Sequence, residues 1–261
     1  MADITSLLAA YDEQMRGAPR NLPSGVIWEQ DGPVIRVVGK FRGFVSGPRD
    51  VEVRGAELDR LIERQRDYFA ARGEAVEWSA HGHDLPENLP DRLLAAGFVP
   101  EDQETILIAT VSELPAEATP PDGVHLREVA AAPDLHRIAA MESTVWGKDM
   151  SWLGDDLIGR VTAAPDDTTV LVAEADGEVV SAAWMVVNTG TEFAGLWGGS
   201  TLPAWRGKGI YRALVAARTE IASARGIRYL QVDASDDSAP ILRHLGFHAV
   251  GTTTPYVWTQ P

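Results

Sequence analysis

One segment of the C-terminal half constrains the fold more than any other: a glycine-rich basic turn between a strand-like run and an amphipathic helix. The run Phe193–Thr201 stops before Pro203, which cannot continue a central strand. The turn Arg206-Gly-Lys-Gly209 follows. Apolar residues then recur at helical spacing: Ile210, Leu214, Ala217 and Ile221. The segment therefore predicts a strand, a tight turn and a helix in succession.

Such a turn is suited to binding phosphate. The first N–H groups of a helix have no partner within it, and the helix dipole places partial positive charge there. Gly207 and Gly209 let the backbone approach a ligand closely. Residues 206–228 carry six basic side chains and one acidic one, which is +5 in a chain of net charge -15. We expect Arg218 and Arg225 to lie on a solvated helix face, and the cations of the turn to meet an anion.

The rest of the C-terminal half alternates between strand and helix patterns. Asp176-Gly177, between two β-branched runs, is typical of a hairpin, and Gly226 suits a helix end. The predicted strands are Val124–Val129, Thr169–Ala175, Glu178–Val187, Phe193–Thr201, Tyr229–Asp233 and His248–Trp258. The predicted helices, besides the one after the turn, are Asp134–Val145, a segment within Trp152–Ala163, and Ser238–Leu245. This order predicts a mixed α/β domain.

The N-terminal half carries a weaker copy of the same pattern. Ala71-Arg72-Gly73 matches Ala224-Arg225-Gly226, and Leu94-Ala-Ala-Gly97-Phe98 matches His244-Leu-Gly246-Phe247. The proline-rich stretch 112–123 between the halves is typical of a linker. We therefore predict two domains of one ancestry, with residues 1–112 in the first, a linker at 113–123, and residues 124–261 in the second.

Composition excludes several classes of function. The 261 residues include no cysteine, which rules out disulfides and a thiol nucleophile. The strong negative charge is unfavourable for binding nucleic acid, no apolar run could span a bilayer, and the start of the chain lacks the features of a signal peptide. We expect a cytoplasmic protein. His81-Gly-His83 has no apparent third ligand nearby, so we expect no metal site.

The segment Leu202–Leu214 resembles the acetyl-CoA signature of the GNAT acetyltransferase superfamily, and Leu245-Gly246-Phe247 resembles its downstream Leu-Gly-Phe. The resemblance implies two tandem GNAT-like acyl-CoA N-acyltransferase domains, each an α/β (α+β) fold with a mixed sheet, and acetyl-CoA as cosubstrate. Tyr211 departs from the usual small residue at the end of the motif. The residues that the resemblance assigns to the cofactor are Ser200, Thr201, Arg206, Gly207, Lys208, Gly209, Ile210 and Tyr211.

The resemblance also implies a β-bulge before the turn, with a gap beside it for the pantetheine arm. Gly198-Gly199 suits that bulge. The alternative is a glycine-rich strand packed closely against a helix. In the N-terminal copy, Glu57 and Asp59 stand where the pyrophosphate would bind and would repel it. This copy is therefore interpreted as degenerate.

Many members of the family use a tyrosine to protonate the leaving thiolate, and Leu242 stands at that position here. Tyr256, Ser235, Tyr211 or a water molecule remain alternatives for the acid. Asp233 is our candidate base, and its alternative role is to cap a turn. Trp146, Trp152 and Trp197 are interpreted as core residues. The alternative for Trp146 and Trp152 is a contact with the acceptor, because in the family the helical region that holds them, together with Glu142 and Asp149, borders the acceptor site.

We therefore predict an N-acetyltransferase in which the acceptor attacks the acetyl thioester directly. The partner would be a small-molecule or peptide amine, cationic or neutral, with no nucleic acid or membrane involved. A non-catalytic acyl-CoA-binding or sensing protein is the alternative. A synthase of a thiol metabolite is a third hypothesis, which rests on architecture alone. The sequence indicates neither the acceptor nor the oligomeric state.

Overall fold

The computed structural model describes residues 3–19, 22, 25–39, 42–115 and 117–260. Residues 1–2 at the start of the chain and residue 116 in the predicted linker lie outside this part. Twelve strands are found within it: β1 (Ile27–Asp31), β2 (Val34–Val38), β3 (Arg42–Ser46), β4 (Ala75–His81), β5 (Val99–Pro100), β6 (Glu104–Thr110), β7 (His125–Glu128), β8 (Thr168–Ala175), β9 (Glu178–Val187), β10 (Phe193–Thr201), β11 (Tyr229–Ala234) and β12 (His248–Trp258).

Seven α-helices lie within the same described residues. They are α1 (Ile4–Met15), α2 (Ala56–Ala70), α3 (Leu89–Ala95), α4 (Ala132–Trp146), α5 (Trp152–Ala163), α6 (Ile210–Ala224) and α7 (Ala239–His244). Strands β9, β10 and β12 confirm the predicted bounds, and the other elements predicted in the C-terminal half differ from the prediction by no more than two residues at either end. None of these helices is long and apolar enough to cross a membrane.

All the strands belong to one mixed sheet, in the order β1-β2-β3-β4-β12-β6-β11-β10-β9-β8-β7, with β5 paired to β12. Parallel pairs occur between β3 and β4 and between β10 and β11. The predicted mixed α/β fold is confirmed.

The two halves of the chain exchange their last strands. Strand β6, from the N-terminal half, lies between β11 and β12. Strand β12, at the end of the chain, pairs along Thr253–Trp258 with β4 of the N-terminal half. The predicted domain boundaries at residues 112 and 123 remain a prediction. Strands that precede these boundaries in the chain pair with strands that follow them.

The helices cover both faces of the sheet. On one face, α1 packs against Ile106 and Ile108 of β6, and α4 and α5 cover β8 and β9 further along. On the opposite face, α6 and α7 pack against Leu107 of β6, and α2 and α3 pack against Trp78 of β4. Side chains alternate between the faces along each strand, so the strand pairing fixes which candidate residues can meet.

The internal repeat is visible in the helix ends. After α2, the N–H of Glu74 donates to the carbonyl of Phe69 at 3.0 Å; after α6, the N–H of Ile227 donates to the carbonyl of Ala222 at 3.0 Å. Gly73 and Gly226, between these partners, have φ of 69° and 70°. Each helix thus ends in the same left-handed glycine motif, as the matched sequences predict.

Candidate functional site

The site is centred on a gap between β10 and β11. These parallel strands pair only at Phe193–Gly195 with Tyr229–Gln231. Beyond that point β10 continues to Thr201 and β11 to Ala234 without further pairing to each other. Along this stretch the facing edges of β10 and β11 therefore have no partner strand between them, which leaves room for a ligand.

A bulge in β10 opens the gap. Gly198 lies opposite Ala183 and Ser200 lies opposite Ala182, so Gly199 is the extra residue. Gly198 and Gly199 have φ of 69° and 90°. A Cβ on Gly198 would lie 2.5 Å from the Trp184 ring, and one on Gly199 would lie 2.5 Å from the Tyr211 ring. The predicted bulge is confirmed, and only glycine fits it.

The chain then turns into α6 through a basic loop. Gly207 has φ of 73°, and Gly209 has φ of 86° at the N-cap of α6, where no side chain caps the helix. The Arg206 guanidinium donates to the Thr201 carbonyl at 3.0 Å, which ties the loop to the end of β10. The Lys208 ammonium lies 4.4 Å from the centre of the Trp205 ring. The open N-terminus of α6 is thus surrounded by cations.

One cation of this segment is not where the sequence indicates. Arg225 is exposed as expected, but Arg218 is only 2% exposed, so the expectation of a solvated position is wrong for Arg218. Residue 218 follows Leu214 by one helical turn and lies on the same apolar stripe of α6. Burial lowers the pKa of the Arg218 guanidinium to about 10.

Asp233 lies near the end of β11, beside the gap, and is partly buried. The Gln231 amide donates to its carboxylate at 3.0 Å. Burial raises the pKa of this carboxyl above its ordinary value. Within the described residues, no backbone N–H donates to it, so the structure gives no support to the alternative role as a turn cap.

The candidate acids lie in different places. Ser235 is exposed just after β11, where its hydroxyl lies 3.3 Å from the hydroxyl of Ser238. Tyr256 lies opposite Trp78 on β12 and packs in the core beneath α2 and α3. That is the opposite face of the sheet from Asp233. Leu242, at the position of the family's tyrosine, is fully buried in the core around α6 and α7.

Sequence reasoning missed Glu104, the first residue of β6. Ile106, two residues further on, lies opposite Asp233, so Glu104 and Asp233 share a face of the sheet. Burial, followed by the negative charge of Asp233, raises the pKa of Glu104 to about 7. Only the strand exchange brings these two carboxyls together, and no local sequence signal indicates it.

A further polar group from the N-terminal half lies on this face. The Tyr11 hydroxyl is 3.1 Å from Nε2 of His81, and burial, followed by the charge of Asp233, raises the pKa of Tyr11. His83 binds the carboxylate of Asp12 at 2.9 Å. Among the described residues, no group of three or more histidine or acidic side chains could hold a metal ion.

The expected core role of three tryptophans is wrong, because Trp146, Trp152 and Trp197 are 58%, 44% and 52% exposed. They lie at the end of α4, the start of α5 and within β10. Glu142 of α4 is by contrast buried, and its carboxylate accepts a hydrogen bond from the Trp146 indole at 2.8 Å. Burial raises the pKa of Glu142, while a hydrogen bond with Ser200 opposes that shift. Glu142 therefore connects α4 to the bulged end of β10.

The N-terminal counterpart of the basic turn is acidic. Gly55, with φ of 54°, is the N-cap of α2 as Gly209 is of α6. Glu57 and Asp59 occupy the first turn of α2, and the Asp59 carboxylate pairs with Arg92 at 2.6 Å. The two halves thus present helix N-termini of opposite charge.

Comparison with known proteins gives a family match and similar folds. Residues 132–247 match the model of the Acetyltransferase (GNAT) family. A search of curated proteins gave no match. Among solved structures, the chain is similar to a GCN5-related N-acetyltransferase from Kribbella flavida, with a TM-score of 0.71, 19% identity, and coverage of 100% of this chain and 97% of that one.

Two more solved structures are similar in fold. One is a tandem GNAT protein from the clavulanic acid biosynthesis pathway, with a TM-score of 0.65, 12% identity, and coverage of 97% and 95% of the two chains. The other is a GCN5-related N-acetyltransferase from Sphaerobacter thermophilus, with a TM-score of 0.59, 19% identity, and coverage of 88% and 81%. The first of these two spans both halves of the present chain.

Proposed function

We propose that this protein transfers the acetyl group of acetyl-CoA to the nitrogen of an amine acceptor, because residues 132–247 match the model of the Acetyltransferase (GNAT) family. Acyl transfer is the general chemistry of that family. The observation that carries the proposal is the continuity of three features along one chain segment: the gap beside β10, the bulge at Gly198-Gly199, and the uncapped basic N-terminus of α6.

The turn fits a pyrophosphate in shape and charge. Apart from the adjoining residues of the chain, no heavy atom of the described residues lies within 4 Å of a Cβ built on Gly207, and for Gly209 only the Arg212 side chain does. A phosphate could therefore reach the N–H groups that open α6. Arg206 and Lys208, both exposed, supply the opposite charge. We assign the pyrophosphate of acetyl-CoA to this turn.

The gap fits an extended amide-containing chain. The edge of β10 from Leu196 to Thr201 pairs with β9 on one side only. The pantetheine arm would occupy the other side, near the backbone of Ser200 and Thr201. Acetyl-CoA supplies the activated acyl group, and backbone N–H groups of this edge would stabilise the negative charge on the thioester oxygen during attack.

Asp233 and Glu104 are the groups that we assign to proton removal. In the reaction, the acceptor nitrogen forms a bond to the acetyl carbon, the carbon–sulfur bond breaks, and CoA leaves as a thiolate. A base must take a proton from the nitrogen. Asp233 lies beside the gap and Glu104 lies on the next strand, both partly buried and both with a raised pKa. The pKa of about 7 for Glu104 suits a base that works near neutral pH.

The acceptor would approach from the face that carries α1, α4 and α5, because Asp233 points to that face. Trp146, Trp152 and Trp197 are exposed there. The chain carries a net charge of -15, and its basic residues Arg206 and Lys208 lie at the turn that we assign to the pyrophosphate. This distribution of charge favours a cationic or neutral amine over an anionic one.

The second candidate is a protein that binds acyl-CoA without catalysis. It is favoured by one observation: Leu242 occupies the position of the family's usual acid and is fully buried. Release of free thiol from acetyl-CoA separates the two candidates. An acetyltransferase releases thiol with at least one member of a panel of primary amines, faster than it hydrolyses acetyl-CoA in their absence. A binding protein binds acetyl-CoA in calorimetry and releases no thiol with any of them.

A further inference from the structure

Arg218 is a buried cation in the middle of α6. Its Nε donates to the carbonyl of Leu214 in the preceding turn of α6 at 3.0 Å. Its Nη1 lies 3.3 Å from the carbonyls of both Trp184 and Trp197. These two tryptophans are a cross-strand pair, and the next pair begins the bulge. Arg218 thus holds β9 and β10 together at the place where the gap opens.

The charge of Arg218 has no counter-ion in the part of the chain that the structure describes. No salt bridge there joins its guanidinium to a carboxylate, and the hydrogen bonds found for it go to backbone carbonyls. The ionisable group that acts on it is the Tyr211 phenol. Burying a charge without an opposite charge is costly. A neutral amide could donate to the same carbonyls, so fixing the strands does not by itself require a cation.

Arg218 and Trp197 lie at similar distances from the phosphate-binding turn, one along α6 and the other along β10. Arg218 follows the first residue of α6 by eight positions (218 − 210), which is about 12 Å of helix. Trp197 precedes the end of β10 by four positions (201 − 197), which is about 13 Å of strand. Both therefore lie at the same depth below the phosphate-binding turn, at the inner end of the gap that we assign to pantetheine.

From this placement we infer that the positive charge of Arg218 stabilises the CoA thiolate that leaves when the carbon–sulfur bond breaks. The sulfur keeps the electron pair of that bond, and no side chain has to protonate it within the site. This inference rests on the proposed function. It accounts for the absence of an acid at Leu242, because a thiolate held beside a buried cation can leave unprotonated. Arg218 acts through space, as a positioning and electrostatic residue.

The test is the titration of the thiol of CoA bound to the full chain, followed by the ultraviolet absorbance of the thiolate. This measurement needs no acceptor. For the wild type, we expect the pKa of the bound thiol to lie about one unit or more below that of free CoA, as for an ionisable group near an opposite charge. Arg218→Gln, which keeps an amide donor and removes the charge, should return the pKa to that of free CoA or above. Arg218→Lys should keep part of the shift.

Arg225→Met is the matched control, because Arg225 is the C-cap of the same helix and is exposed. This variant should leave the pKa of the bound thiol unchanged. If CoA binds to the wild type but its thiol has the pKa of free CoA, the inference is overturned while the proposed function stands. The inference is also overturned if Arg218→Gln lowers the pKa of the bound thiol as much as the wild type does. Failure of CoA to bind, measured by calorimetry, would overturn both. If Arg218→Gln does not fold, the pKa of the bound thiol in the wild type and in Arg218→Lys provides the test. A larger lowering of that pKa in Arg218→Lys than in the wild type would contradict the inference.

Discussion

Glu104 and Asp233 lie on the same face of neighbouring antiparallel strands, although one comes from the N-terminal half of the chain and the other from the C-terminal half. Each carboxyl is partly buried, and the charge of Asp233 contributes to the raised pKa of Glu104. Two carboxyls in this relation hold a proton more readily than either would alone. The N-terminal half therefore contributes a titratable group to the candidate site, whatever its own ability to bind CoA.

The first prediction concerns the pH dependence of acetyl transfer. With the most active amine of the panel, kcat/KM of the wild type should rise through about pH 7, where Glu104 loses its proton. Glu104→Gln should lower kcat/KM by about 100-fold at pH 8, as expected for loss of a general base, and abolish this rise. Asp102→Asn, in the exposed segment just before β6, is the control. If Glu104→Gln leaves the pH profile of kcat/KM unchanged, another group is the base.

The second prediction concerns stability and follows from the same pKa. The folded state holds the Glu104 proton up to about pH 7, whereas an unfolded chain releases it near pH 4.3. The folded state is therefore progressively destabilised by this group as the pH rises from about 4.3 to about 7, and the loss is complete above that. Glu104→Gln removes this decrease in stability with rising pH. Scanning calorimetry should give a Tm difference, variant minus wild type, that is more positive at pH 8.5 than at pH 5.5. The same difference at both values would show that Glu104 is not perturbed.

The third prediction tests the bulge. Gly199→Ala places a Cβ 2.5 Å from the Tyr211 ring at a positive φ, so overpacking adds about 1–3 kcal/mol of destabilisation to the backbone strain. We expect a lower Tm and weaker acetyl-CoA binding. Gly177→Ala is the control, because Gly177 has φ of 81° and open space around its Cβ position. It should show the strain alone and bind acetyl-CoA normally. Equal losses in the two variants would mean that the bulge does not shape the gap.

The fourth prediction separates Tyr256 from catalysis. Tyr256 is a candidate acid by sequence, but it packs on the face of α2 and α3, while Asp233 points to the face of α1. Tyr256→Phe should therefore leave kcat within about twofold of the wild type, well short of the effect of removing a general acid. Steady-state kinetics with the same amine provide the measurement. A loss of tenfold or more would place the tyrosine in the reaction path and contradict this assignment.

Local patterns predict most of the C-terminal half. Runs of β-branched and apolar residues on either side of Asp176-Gly177 predict β8 and β9, and the double glycine at 198–199 predicts the bulge in β10. These signals act over a few residues. The exchange of β6 and β12 joins residues more than a hundred positions apart, and no local periodicity encodes such a pairing. Glu104 was missed for that reason.

Arg218 was missed for a different reason. The helical spacing of Leu214 and Ile221 places residue 218 on the buried stripe, but a charged side chain normally indicates solvent. The carbonyls of Trp184 and Trp197, which overcome that preference, become available only once β9 and β10 are paired. A basic residue at an apolar helical position is thus a sequence signal in its own right.

Calorimetric titration of two full-length variants with acetyl-CoA would show whether the N-terminus of α6 binds the pyrophosphate. Gly209→Asp and Gly55→Asp each place an aspartate at a positive-φ helix N-cap, one in each half. Gly209 is in the left-handed region (φ 86°, ψ 3°) and Gly55 is not (φ 54°, ψ -134°), so Gly55→Asp should be destabilised at least as much as Gly209→Asp. We predict that Gly209→Asp weakens acetyl-CoA binding about 100-fold or more, through about 3 kcal/mol of charge repulsion, while Gly55→Asp binds like the wild type. Unchanged affinity in Gly209→Asp, or an equal loss in Gly55→Asp, would contradict the account.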